Sequence, residues 1–555
     1  MANVKISELP AATTPLDGSD TFPVVQNGTT KQAALNSIGF LQSGTGAALR
    51  TAQSKMAEIV SVADYGWLAS NTGAQNQAAG QLAANALMAL GGGTLYIPPG
   101  SFNITGTISF TKSATAVGMV NIFGSGQTGT IITQTGGFPV FSFVGNVTNA
   151  LGNEAYLCVR DMTLLGNGSL LAGSRGVYGQ LISFSKFENL LIEGFEYGLY
   201  LQDMDQSTFD HLQIRFNTNG IYLDHNTALS ADGTQPNNIT VLGCTIGNNY
   251  ATGFHVVGGS CLNILGGDIE YNGTTLGSAS NFGLKIETPM YQGGMAVFCQ
   301  GVYFEGNTGL SDVVLVNTAG NFANGGTYIF DGCSFNRPNS VSYSTNCIYT
   351  NFAAAGTVGL QILSVRACGF KVYNDYTPSA ARPVIAFAGI AASVDNFFCD
   401  RTNYFMSSVE RPVSSTCNTL LGNAYTAKVV GTASTACADG AATVVPFDTI
   451  ATYGTLPVTT GSGNIILPSA GYYRITALML SSGNATGGVN FQIYKNGNTA
   501  LVVAAGAAAS ADSVLIAGED VFSASDTLTV QCINNSGASL TYVTASSKVI
   551  ITKVV

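Results

Sequence analysis

The sequence predicts an all-β protein whose body is a parallel β-helix and whose C-terminal part is an antiparallel sandwich. Three observations carry that expectation. Short apolar strands recur through the middle of the chain, each followed by an Asn- or Gly-containing turn and a second apolar strand often opened by Gly. Glycine supplies 67 of 555 residues without a G-X-Y period, and the hydrophobic share is 46%, which excludes both collagen and global disorder. The last 130 or so residues, by contrast, keep the strand pattern and lose the repeat. A chain of this length would ordinarily divide into domains of roughly 150 residues, but the coils of a solenoid accumulate into one long unit.

Four zones follow in order. Residues 1–42 contain KISELPAATTPLDGSDTFPVVQNGTTKQAAL, a small module of apolar runs broken by turn signals. Residues 43–60, SGTGAALRTAQSKMAEIV, begin as a Gly/Ser linker and continue as a helix-compatible stretch with Leu49, Met56 and Ile59 among polar residues. Residues 61–422 hold the β-helix. They open with VSVADYGW, an Ala- and Gln-rich helix over 74–90, and GGGTLYIPPGSFNITGTISF. The helix is expected to cap the first coil, because an open solenoid end exposes core. Residues 424–555 run through SAGYYRITALML, VNFQIYKNGNTAL and SSKVIITKVV; alternation with a KNG turn predicts antiparallel strands.

The repeat decides the fold. First strands align through inward apolar residues Ile192, Ile214, Ile246, Ile269, Phe304 and Phe335, with 22, 32, 23, 35 and 31 residues per coil. Strands so short, at a variable period, stack as parallel rungs with loops of different lengths at the turns. Asn217, Asn249, Asn272 and Asn307 each fall three residues after the inward residue. They predict a ladder of stacked Asn in left-handed turn geometry. Cys244, Cys333 and Cys368 recur just before the strand and are expected inside as small hydrophobes.

Composition excludes several functions. Lys and Arg total 21 against 31 Asp and Glu, a net charge of −10, too few cations for a nucleic-acid surface. No apolar run approaches the ~18 residues of a membrane span, and MANVKISELP has neither basic nor apolar signal-peptide regions. The 11 cysteines are scattered without CxxC, which predicts free thiols and no metal site. GSGQTG and GGGT lack the Walker ending, so no nucleotide cofactor is expected. His211, His225 and His255 have no GxSxG beside them and read as surface or turn residues.

Carboxylates carry the chemical expectation. Side chains alternate along a strand, so the residue after each inward position points outward; that column reads Glu193, Arg215, Gly247, Glu270, Glu305, Asn336. Glu270 and Glu305 are then neighbours on successive rungs, about 4.8 Å apart at the backbone, with Asp268 on the same face. Like charges that close raise one pKa and give an acid beside an ionised partner, the pairing glycosidases use. Asp268, Glu270 and Glu305 are the candidate catalytic residues; the alternative is a solvated acidic stripe or ties to adjoining loops. Asp203, Asp205, Asp210 and Asp224 are placed at turns, with substrate contact as the sharper reading. Arg215 joins the substrate-binding candidates by its place in the column, and Tyr271, Tyr291 and Tyr303 offer flat faces for sugar rings.

These residues resemble a known family. GTGAALRTAQSKMAEIVSVADYG is similar to the neck of phage tailspikes, where a linker helix leads into a pectate-lyase-like right-handed β-helix. GGGTLYIPPGSFNIT resembles the opening strand of that superfamily, and the run from GLYL through GGDIEYNG to VYFEGN resembles the body of tailspike depolymerases. Residues 1–42 look like virion-attachment modules, and 424–555 resemble the trimer-forming jelly roll of the complement C1q and tumour-necrosis-factor type. The resemblance implies a homotrimer on the phage tail, made in the host cytoplasm. It would bind and cleave a bacterial capsule or O-antigen polysaccharide with carboxylates and no cofactor. A lyase, a deacetylase or a non-catalytic glycan receptor are the alternatives on the same scaffold. In one departure, the family's Asp-rich segment after DYG is here LASNTGAQNQAAG, without a carboxylate.

Overall fold

The computed structural model describes residues 20–554 except 35, 37, 112–117, 146–155, 226–235, 275–280, 289–294, 310, 318–325, 338–345, 352–360, 373–384, 389–395, 400–402, 406–424, 431–434, 448, 452–457, 462, 469, 483–487, 498, 507–512, 536–539 and 543–546. The chain forms two compact units, Met1–Glu196 and Tyr197–Val555.

In the first unit, Thr21–Gln26 and Thr29–Ala34 pair as an antiparallel hairpin. The Asn27–Gly28 turn adopts φ 54° and 74°, the geometry that a two-residue hairpin loop needs. The linker is less helical than its composition predicts. Only Ala52–Met56 is α-helix, and Ile59 has joined the strand Ile59–Ser61. One turn with no buried side chain has nothing to lengthen it, and Leu49 and Met56 stay exposed.

The expected helix runs Gly73–Ala89, capped by Thr72 and Gln75 in a reciprocal box. Its buried face of Asn76, Ala79, Gly80, Ala83, Ala84 and Leu87 is almost all small residues, which brings it close to Trp67 and Ile108. A Cβ on Gly80 would lie 2.7 Å from each. Parallel strands follow, Gly93–Tyr96, Met119–Phe123, Tyr156–Leu165 and Lys186–Glu193 in one sheet, and Ile108–Thr111, Pro139–Val144 and Arg175–Ser183 in another.

The second unit shows the rung structure most plainly. Three columns of parallel strands stack. One starts at Tyr197–Asp205, one at Thr208–Asp210 and one at Gln213–Arg215. In the last, Ile214, Ile246, Ile269, Phe304, Phe335 and Phe370 are mutual register partners, all at most 2% exposed. Phe304, Phe335 and Phe370 stack almost face to face at 4.8 and 4.9 Å. Burial of each such side chain stabilises by roughly 1.5–3 kcal/mol, and the identical offset on each rung fixes the register.

The Asn ladder exists. Asn217 Nδ2 donates to Asn249 Oδ1 at 3.1 Å, Asn249 Nδ2 to Asn272 Oδ1 and Asn272 Nδ2 to Asn307 Oδ1, both at 2.9 Å. Each oxygen also accepts the backbone N–H of the preceding ladder residue. The left-handed conformation, however, belongs to the residue before each Asn: Phe216, Asn248, Tyr271 and Gly306. Turning the chain there aims the amide inward. The glycines that open the next strands make room for it; a Cβ on Gly253 would sit 2.7 Å from Asn272 Nδ2. Cys244, Cys333 and Cys368 are buried as expected, and their thiols also donate to backbone carbonyls, Cys333 to Cys299 and Cys368 to Phe330.

The C-terminal residues fold into two antiparallel sheets. Gly488–Lys495 and Thr499–Gly506 flank the Asn496–Gly497 turn. Tyr473, Ile475, Ala477, Val549 and Ile551 from one sheet share a core with Phe491, Ile493, Leu528, Val530 and Cys532 from the other.

Candidate active site

The carboxylates stand where rung register puts them. Glu270, on Asp268–Glu270, is the register partner of Glu305 on Tyr303–Glu305, and Asp268 is the partner of Tyr303. Arg215, Gly247, Glu270, Glu305 and Asn336 form one column across five rungs, and Lys371 continues it. The side chains at 215, 270, 303, 305 and 336 are half-buried, between core and solvent.

Two carboxylates of the column differ in surroundings. Glu305 is held on both oxygens: Tyr303 Oη donates to Oε2 at 2.9 Å and Asn336 Nδ2 to Oε1 at 2.8 Å. Asn336 Nδ2 also lies 2.8 Å from Tyr303 Oη, so the three groups close a ring that aims Glu305. Glu270 receives no side-chain hydrogen bond among the described residues. Its carboxyl is pushed above the ordinary carboxylate value by partial burial, then by the charges of Asp268 and Glu305. Gly247 makes space for it: a Cβ there would come 3.1 Å from Glu270 Cγ. The arrangement sets a carboxyl that holds its proton more tightly than usual beside one fixed by two hydrogen bonds.

The other expected residues separate. Tyr303 joins the site through Glu305. Tyr271 follows Glu270 at a left-handed turn and is 37% exposed. Arg215 stands two rungs before Glu270, its guanidinium 5.7 Å from the Phe216 ring centre. Asp203 takes a left-handed φ of 51°, as a turn residue would, but is closed to solvent. It lies within the strand Tyr197–Asp205, its side chain fully buried, 2.8 Å from His225 Nδ1. Asp205 ends the same strand, is half-buried, and bonds Gln206; burial holds its carboxyl above the usual value. Asp210 and Asp224 are strand residues as well, Asp224 accepting from Tyr200 Oη at 2.9 Å. Of the histidines, His211 is exposed. His255 instead lies mid-strand in Thr252–Val257, 3.0 Å from Glu287, where a local turn reading missed it. Tyr291, residues 1–19 and the zone boundary near 422 fall outside the described residues.

The role of Asn336 was legible only as a place in the column; its two hydrogen bonds were not. Among the described residues, no helix is long and apolar enough to cross a membrane.

Residues 108–269 match the family model of the right handed beta helix region. Structures similar to the chain include ORF18 of Geobacillus virus E2, at 14% identity over 88% of this chain and 83% of that one, with a TM-score of 0.41. The enzymatically active domain of tailspike protein 4 of bacteriophage CBA120 shows 12% identity over 93% and 70%, TM-score 0.45. The tailspike protein of Acinetobacter phage vB_ApiP_P1 shows 14% over 90% and 88%, TM-score 0.36. No curated protein sequence matches the chain. The stacked parallel rungs and the family match together identify residues 108–269 as a right-handed parallel β-helix.

Proposed function

We propose that this chain is a phage tailspike that recognises and depolymerises a bacterial surface polysaccharide, capsule or O-antigen, by carboxylate acid–base glycoside hydrolysis. The observation that carries the reading is the register pairing of Glu270 with Glu305 under unlike surroundings. Glu270, raised by burial and like charge, serves as general acid to the leaving oxygen. Glu305, aimed by Tyr303 and Asn336, serves as the carboxylate partner, nucleophile or base. After burial, Asp268 is the next contributor to raising the Glu270 carboxyl. Tyr271, Tyr303 and Arg215 are the substrate-binding residues. The sequence resemblance of residues 1–60 supports a virion-attachment module and neck, and the two antiparallel sheets after residue 424 support a jelly roll that holds a homotrimer.

Incubation with purified capsules and O-antigens from a strain panel, assayed for new reducing ends, tests the reading. Glu270→Gln and Glu305→Gln should each lower cleavage about hundredfold or more while polymer binding persists. Unsaturated, ultraviolet-absorbing ends would make the reaction an elimination. Released acetate with intact polymer would make it an ester hydrolysis, and binding without cleavage by the native chain would make the protein a receptor.

A further inference from the structure

Two exposed rings directly follow residues of the outward column, and both occupy a backbone conformation that bulky side chains avoid. Phe216, which follows Arg215, has φ 56°, and Tyr271, which follows Glu270, has φ 51°. On the rung between them the same turn position is Asn248, and on the Glu305 rung it is Gly306. Gly and Asn enter the left-handed region at low cost; a ring-bearing residue does not. The repeat therefore uses the low-strain solution on two rungs and the strained one on the two flanking Gly247 and including Glu270.

Burial does not compensate the strain. Phe216 is 44% exposed and Tyr271 37%. Tyr250, two residues past Asn248 on the intervening rung, is 45% exposed. Phe216 and Tyr271 directly follow the outward residues Arg215 and Glu270, and on the rung between them Tyr250 stands just past the ladder residue Asn249, its N–H donating to the Asn217 carbonyl. Backbone strain clusters at ligand clamps and active sites, and in this column it falls on exposed rings. Rungs repeat at about 4.8 Å, so Phe216 and Tyr271 are about 10 Å apart along the stacking direction.

We propose that Phe216, Tyr250 and Tyr271 form a stacking strip that seats a pyranose polysaccharide along the rungs, delivering one glycosidic bond to Glu270 and Glu305. The inference rests on the function proposed above and adds the binding element and the direction of the polymer. Aromatic faces take the C–H faces of sugar rings, and the adjoining carboxylates and amide supply hydrogen-bond partners for hydroxyls.

The test uses the full chain carrying Glu270→Gln, so that polymer stays intact, and measures binding of the purified capsules and O-antigens of the same panel. Phe216→Gly and Tyr271→Gly should each weaken binding about tenfold, and Tyr250→Ala likewise. The two Gly variants should unfold at the same or a higher temperature, because glycine relieves the left-handed strain. Unchanged binding in all three variants overturns the strip while leaving the hydrolase reading intact. A lower unfolding temperature or dissociation in sedimentation also overturns it, making the rings a packing or subunit contact. If the native chain binds no polymer of the panel, the functional reading falls and the strip with it.

Discussion

Asn307 donates its side-chain amide to Asp312 Oδ1, 2.9 Å away, so the uncharged Asn ladder ends on a buried carboxylate. Arg337 Nε stands 3.9 Å from the other oxygen, and both charged side chains are at most 5% exposed. Burial outweighs Arg337 and Asn307 and pushes the Asp312 carboxyl up to about 6.

That shift sets a pH dependence. The folded state binds the Asp312 proton more tightly than the unfolded state, so this contribution to stability is complete below pH 3.8 and is lost as pH rises through about 6. Its full size is on the order of 3 kcal/mol. Thermal unfolding of native chain and Asp312→Asn, compared from pH 4 to 7.5, should show the native loses stability relative to the variant across that window. A constant difference would refute it.

Gly253→Ala should destabilise by more than ~3 kcal/mol. The added methyl meets the Gly283 carbonyl at 2.6 Å and Asn272 Nδ2 at 2.7 Å, and neither backbone nor ladder can yield. Asn272→Ala should cost a similar amount by leaving Asn249 and Asn307 short of partners. Denaturant titration of both variants measures this.

Gly247→Ala acts on the proposed acid. Its Cβ would press on Glu270 Cγ at 3.1 Å and on the Glu270 carbonyl at 3.0 Å. Cleavage should fall about tenfold or more from the misplaced carboxyl, with polymer binding retained. Native-like rates in a folded variant would show that Glu270 need not lie over Gly247.

Tyr303→Phe removes one of the two donors to Glu305 and leaves the Asn336 contact on Oε1. The expected loss is about tenfold to hundredfold in kcat/KM, with little change in unfolding temperature because Tyr303 is half-exposed. Rates equal to native would remove Tyr303 from the site.

The rungs are readable from residue spacing alone. Inward residues recur at one offset from each turn, so Ile269 opposite Phe304, and therefore Glu270 opposite Glu305, followed from counting. The Asn ladder followed the same way, because a strand one residue out of register would turn every core side chain to solvent. Contacts between rungs are not encoded in that period. Asp203 looked like a turn acid, but its burial against His225, 22 residues on, is a contact between neighbouring rungs. The left-handed strain fell on Phe216 and Tyr271 rather than on the ladder Asn, because the turn must come one residue earlier to send the amide inward. The unequal environments of Glu270 and Glu305 depend on Tyr303 and Asn336 in three dimensions. Sequence spacing places residues on a rung; burial and hydrogen bonding, which set their chemistry, arise only when the rungs stack.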